Sequence, residues 1–170
     1  TNDDELADIM CSIRVHGSGS DKYENIRVGI NGRLDTIQAA VLLEKLAIFD
    51  DEVISKNNNA DYYSTRMSES FKTPHIPDGY LSSWAQYSVI LPEDLERQSV
   101  MNQLKNKDIP SMVYYQTPLH LQSVFNELGY KRGDFSVSEK ISEKVLSLPM
   151  HPYLDSEQQN HVLNVIEKVN

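Results

Sequence analysis

The sequence predicts a mixed α/β chain of the α+β kind, with few strands, one long helix and several short ones. Apolar residues recur at helical spacing through most of the chain. Only 84–91 and 109–115 alternate in a strand-like way. There is no internal repeat and no low-complexity tract. The 170 residues, 39% apolar and 24% charged, suit one ordinary globular domain and not a disordered chain.

The elements follow in order. Thr1 to Asp4 offers N-cap candidates followed by acids, and Leu6, Ile9, Met10 and Ile13 continue at helical spacing, which predicts a helix over 3–14. Residues 15–33 hold Gly17, Gly19, Gly29 and Gly32 and read as a long irregular loop, the kind that is functional or disordered. Asp35 or Asn31 can cap the next helix, whose stripe runs from Ile37 and Val41 to Val53, Tyr63 and Met67. At about 30 residues it exceeds the globular mean, and Asn57, Asn58 and Asn59 are its expected bend. A breaker at 74–80 precedes the strand at 84–91. Pro92 opens a helix to about Lys105 with Leu95, Val100, Met101 and Leu104 inward. The second strand, 109–115, starts at Pro110 and so belongs at an edge. A short helix at 122–128 stops at Gly129, and another covers 135–145. Residues 146–154 are an extended segment fixed by two prolines, Pro149 and Pro152, and Ser156 caps a last helix to about Val169.

Charge narrows the partners. Against 25 Asp and Glu stand 16 Lys and Arg, a net charge of -9, with no basic run. That disfavours the phosphate backbone of nucleic acids and anionic membrane surfaces. No stretch approaches the ~20 apolar residues of a spanning helix. A single cysteine, Cys11, precludes an internal disulfide and a Cys-rich metal site and fits a reducing, cytoplasmic setting. The first ten residues are too acidic for a signal peptide. The chain starts at Thr1, not Met, and is expected to begin inside a longer protein.

Few motifs carry chemistry by themselves. His16, His75, His120, His151 and His161 show no ligand spacing, so no metal is assigned. His151 and His161 read as structural or exposed. Cys11 reads as a buried, inert thiol. Gly17 to Ser20 lacks the ending of a P-loop, and no Gly-X-Ser-X-Gly elbow occurs. The loop Gly29-Ile30-Asn31-Gly32-Arg33 stands immediately before a helix. Backbone N–H groups there, with an amide and a guanidinium, suit an anion such as phosphate; a Gly-rich turn with a solvent-facing Arg is the plainer reading. Tyr114, Tyr115, Gln116 and His120 cluster at a strand end and can line a pocket, or the two tyrosines can simply alternate between core and surface.

Residues 29–50, GINGRLDTIQAAVLLEKLAIFD, resemble the signature of the DegT/StrS-type pyridoxal 5'-phosphate (PLP)-dependent nucleotide-sugar aminotransferases of fold-type I. The resemblance extends to TNDDELAD and RVHGSGSDKYENIRVG before it, and to the Pro-Leu-His-Leu-Gln and Leu-Ser-Leu-Pro-Met-His-Pro elements after it. It spans essentially the whole chain in the family's order. Within the family, RLDTIQAAVLL looks closest to enzymes that aminate UDP-linked 3-keto hexuronic acids.

The resemblance implies the C-terminal part of such an enzyme, with residues 1–33 a remnant of the large domain and 34–170 the small domain. Residues 1–30 are then expected to be mobile or rearranged. The lysine that anchors PLP as a Schiff base lies upstream of the position matching Thr1 in the family, and Lys22 does not match it. This chain alone is therefore expected to be inactive, to contain no catalytic residue and not to hold PLP stably. Asn31 corresponds to the residue that reaches the PLP phosphate of the other subunit, and Arg33 to one that contacts the sugar across the same homodimer interface. Tyr114 and Tyr115 stand where the family's His-Tyr pair faces the substrate; Tyr114 departs from His, and Gln116 replaces a common Pro. His16 and His120 match positions near the pocket, with a structural role equally compatible. The implied reaction takes the amine of glutamate to a nucleotide-linked ketosugar in bacterial polysaccharide synthesis, such as O-antigen of lipopolysaccharide. Two other readings stay open: a PLP-dependent sugar dehydratase of the same fold, with His for the upstream lysine, and a stand-alone interaction domain.

Overall fold

The computed structural model describes residues 1–21 and 23–168. Lys22, and Val169 at the expected end of the last helix, lie outside the described residues. The chain forms two compact units, Thr1–Phe49 and Asp50–Asn170.

In the first unit, α1 (Asp4–Arg14) starts where Asp3 accepts a hydrogen bond from Leu6 N–H at 3.0 Å, with Asp4 and Glu5 at the positive end of the helix dipole. None of its residues is buried. Cys11, expected inside, is accordingly exposed. The glycine-rich loop is tied back on itself by bridges Val15–Asn31 and Ser18–Asn25. Gly17 adopts φ +76°, and a Cβ there would sit 1.8 Å from the Arg27 carbonyl oxygen. Only glycine combines that dihedral with that approach. Helix α2 (Thr36–Ala47) begins after Asp35, whose N–H donates to Gln38 Oε1 at 3.2 Å. Its apolar stripe is uncovered in this chain: Ile37 is 81% exposed and Leu43 68%.

The long helix expected over 35–67 breaks at Ile48, not at the asparagines. The Ile48 N–H turns back to the Lys45 and Leu46 carbonyls, and α3 (Phe49–Arg66) restarts with Asp50, Asp51 and Glu52 in its first turn, where the dipole favours acids. The helix runs on through the asparagines, and two of the three amides find partners. Asn57 donates to the Ser82 carbonyl at 3.0 Å and accepts from Trp84 Nε1 at 2.9 Å. Asn59 is buried and donates to the His151 carbonyl at 3.0 Å. Satisfied buried amides outweigh a weak propensity difference.

In the second unit, β1 (Tyr87–Ile90) pairs antiparallel with β2 (Val145–Leu148), from Tyr87 opposite Leu148 to Ile90 opposite Val145. This corrects the expected strand at 109–115, which contributes only a bridge, Met112 N–H to the Ser147 carbonyl at 3.2 Å and back at 2.8 Å. Pro110 lacks the donor a longer ladder needs. Helix α4 (Arg97–Lys105) starts later than Pro92, because both Glu96 oxygens cap it through Gln98 and Ser99 N–H. Helix α5 (Ser136–Lys144) leads into β2, and α6 (Ser156–Ile166) is capped by Asp155 rather than Ser156, with Gln158 returning the bond. The core lies between α3, the sheet, α4 and α6 and centres on Tyr63, Tyr87, Leu104, Leu146 and Ile166, each fully buried. Tyr87 shares a hydrogen bond with Ser64 Oγ at 2.8 Å. The buried Tyr63 hydroxyl finds no hydrogen-bond partner among the described residues, and burial, with the nearby Tyr87, pushes its pKa well above the usual phenol range.

Candidate functional site

The first unit carries His16, Asn31 and Arg33. The loop brings His16 and Asn31 onto adjacent stretches: His16 N–H donates to the Ile30 carbonyl at 2.9 Å, beside the Val15–Asn31 bridge. His16 holds φ +60° and is exposed.

Two of the backbone donors anticipated for an anion are already used. Ile30 N–H bonds the Ile13 carbonyl and Gly32 N–H the Arg14 carbonyl, both at 2.8 Å. The next helix also begins only at Thr36. Gly29 serves a close approach of chains, since a Cβ there would sit 2.1 Å from Gly17 N. What stays available is side-chain chemistry. Asn31 and Arg33 are exposed, and neither side chain is engaged in a hydrogen bond or ion pair among the described residues. A neutral amide and a planar guanidinium, two positions apart on a backbone pinned to α1, are suited to bind phosphate and carboxylate oxygens. The donor set thus fits an anionic cofactor group.

The second unit carries Tyr114, Tyr115 and His120. Both tyrosines border a cavity of about 450 Å³, with Thr117, Leu119 and Gln122 on the same stretch and Ser138, Ile141 and Ser142 across from them on α5. The rings meet edge to face, centroids 5.8 Å apart. Tyr115 is 74% exposed.

His120 does not line this cavity. It follows Leu119 in a 3₁₀ turn, Leu119–Leu121, and points its Nε2 at Glu139 Oε1, 2.9 Å away. Glu139 also accepts from Gly133 N–H at 2.8 and 2.9 Å and from Phe135 N–H at 3.4 Å. Desolvation alone would raise the Glu139 pKa. The bonds from Gly133, His120 and Phe135 outweigh it and hold the carboxyl below its ordinary value. The carboxylate is therefore ionised at neutral pH.

Glu139 and the α5 wall were not anticipated from the sequence. Helix α5 turns Glu139 and Ser142 inward while Val137 is 71% exposed, the reverse of what apolar periodicity suggests. The only sequence signal was a carboxylate shortly after a turn containing Gly133, whose φ of +100° presents its N–H. Among the described residues no group of three or more His, Cys, Asp and Glu could hold a metal ion, and no helix is long and apolar enough to cross a membrane.

Comparison with known proteins bears on the whole chain. Residues 1–167 match the model of the DegT/DnrJ/EryC1/StrS aminotransferase family. A pleiotropic regulatory protein of Geobacillus stearothermophilus is 41% identical over 170 residues, covering 98% of this chain and 45% of the relative. The UDP-2-acetamido-2-deoxy-3-oxo-D-glucuronate aminotransferase of Pseudomonas aeruginosa is 40% identical over 157 residues, covering 92% of this chain and 42% of that enzyme. The crystal structure of a DegT DnrJ EryC1 StrS aminotransferase from Brucella abortus superposes with a TM-score of 0.80 at 46% identity, over 98% of this chain and 44% of that one. The chain thus spans less than half the length of the relatives it matches.

Proposed function

Because the chain belongs to the DegT/DnrJ/EryC1/StrS aminotransferase family, we propose that it forms the C-terminal part of a longer PLP-dependent enzyme. That enzyme moves the amino group of glutamate to a nucleotide-linked ketosugar. The sugar carries a carboxylate, as in a UDP-linked 3-keto hexuronic acid, and the reaction serves bacterial surface polysaccharide such as O-antigen. The name of the relative from P. aeruginosa supports the acidic sugar. Residues 1–33 complete the large domain and 34–170 form the small one. The enzyme works as a cytoplasmic homodimer, and this chain alone is inactive.

The observation that carries the reading is the free, exposed pair Asn31 and Arg33 on one pinned loop. Asn31 donates its amide to the cofactor phosphate of the second copy, and Arg33 offers its fork to the carboxylate of the sugar. PLP, when bound, stores the amino group between donor and acceptor. Tyr114 and Tyr115 bind the sugar nucleotide in the cavity they border, and His16 stays a backbone-held neighbour of Asn31. Because one copy supplies a cofactor contact to the other, cofactor binding and dimerisation reinforce each other.

The test is Asn31→Asp in the full-length enzyme. A carboxylate set against the phosphate replaces attraction with repulsion, and the dissociation constant for PLP is expected to rise about 100-fold. Titration of the cofactor's absorbance measures it. Retention equal to that of the unsubstituted enzyme would overturn the assignment of Asn31.

A further inference from the structure

The cavity beside Tyr114 has two walls. One is the chain from Tyr114 to the turn Leu119–Leu121; the other is α5, through Ser138, Ile141 and Ser142. His120 belongs to the first wall and Glu139 to the second, yet neither lines the cavity. They meet behind it, Nε2 to Oε1 at 2.9 Å, with side chains 8% and 10% exposed. This pair is shielded, and its partners are already fixed. The His120 ring packs against Phe135 with centroids 4.7 Å apart, and Glu139 holds Gly133 N–H with both oxygens. One carboxylate thus gathers the 3₁₀ turn and the 133–135 turn onto its own helix. The residues next in sequence to the pair, Leu119 and Ser138, face the cavity from opposite sides.

We propose that His120 and Glu139 are a positioning pair for the sugar-nucleotide substrate: the carboxylate on α5 holds the imidazole of the facing wall and so sets the width of the cavity. The proposal rests on the aminotransferase reading above and gives a role in it to two residues outside the cavity lining. A binding site must be held to within about half an ångström by the residues behind it, so a looser clasp weakens substrate binding before it affects chemistry elsewhere.

The experiment uses the full-length enzyme with PLP, glutamate and a UDP-linked 3-keto hexuronate. His120→Leu keeps bulk and removes the donor. His120→Gln keeps an N–H donor for Glu139. The KM for the sugar nucleotide is expected to rise about 10-fold in H120L and to return to within about threefold in H120Q. The KM for glutamate should move less than about twofold in both. An unmoved sugar KM in H120L overturns the pair and leaves the aminotransferase reading standing. So does an equal rise for both substrates, or H120Q behaving like H120L, because these mark a role in folding only. No amino transfer by the unsubstituted enzyme overturns that reading, and the positioning role with it.

Discussion

Replacing Leu146 with alanine is expected to cost the second unit about 2–5 kcal/mol of unfolding free energy. Leu146 is fully buried in β2, a strand whose four residues are all buried. It stands opposite Val89 in the ladder, itself fully buried. Truncation removes its transfer free energy and leaves a cavity that a two-stranded sheet, bridged at Lys72 on one edge and Met112 on the other, cannot collapse. Denaturant unfolding of the chain should show a lower midpoint with an unchanged slope. Leu43→Ala on α2 is the matched control. With 68% of Leu43 exposed, its truncation should change stability by no more than about 0.5 kcal/mol. Equal losses at the two sites would contradict the placement of the core.

The second large effect belongs to Arg33. If its guanidinium meets the carboxylate of the sugar, Arg33→Ala removes a charge-assisted, two-pronged hydrogen bond. About 3 kcal/mol of binding is then lost, or about 100-fold in kcat/KM for the acidic sugar. Arg33→Lys keeps the charge but not the fork and should fall between the two. A sugar nucleotide lacking the carboxylate separates this role from a general one, because the variant should lose little further activity on it. An R33A enzyme that loses as much on the neutral sugar would show that Arg33 serves folding or the interface instead.

Much of the helical framework was legible because local signals set it. Asp3, Asp155 and the acids after Ile48 sit where caps and dipoles require them, so α1 and α6 fall close to where their patterns place them. The sheet was harder. Val145 to Leu148 is buried on both faces and shows no alternation, whereas 109–115 alternates but is stopped by Pro110 after a single bridge. The unbent helix at the asparagines depends on partners far along the chain, Ser82 and Trp84 for Asn57 and His151 for Asn59, which no local window contains.

The site was legible in part for the same reason. Asn31 and Arg33 stand out by motif, and they are the side chains left free. The fate of the backbone donors around them was hidden, because Ile30 and Gly32 are claimed by Ile13 and Arg14 across the loop. Glu139 was hidden because α5 buries Glu139 and Ser142 and exposes Val137. That inversion appears only once the helix is packed.

The most direct test of the proposed function follows nitrogen. The full-length enzyme, supplied with PLP, ¹⁵N-glutamate and a UDP-linked 3-keto hexuronate, is expected to yield an amino sugar nucleotide carrying ¹⁵N and one equivalent of 2-oxoglutarate, read by mass spectrometry. A sugar that loses water without gaining nitrogen, or one recovered unchanged, would contradict the account.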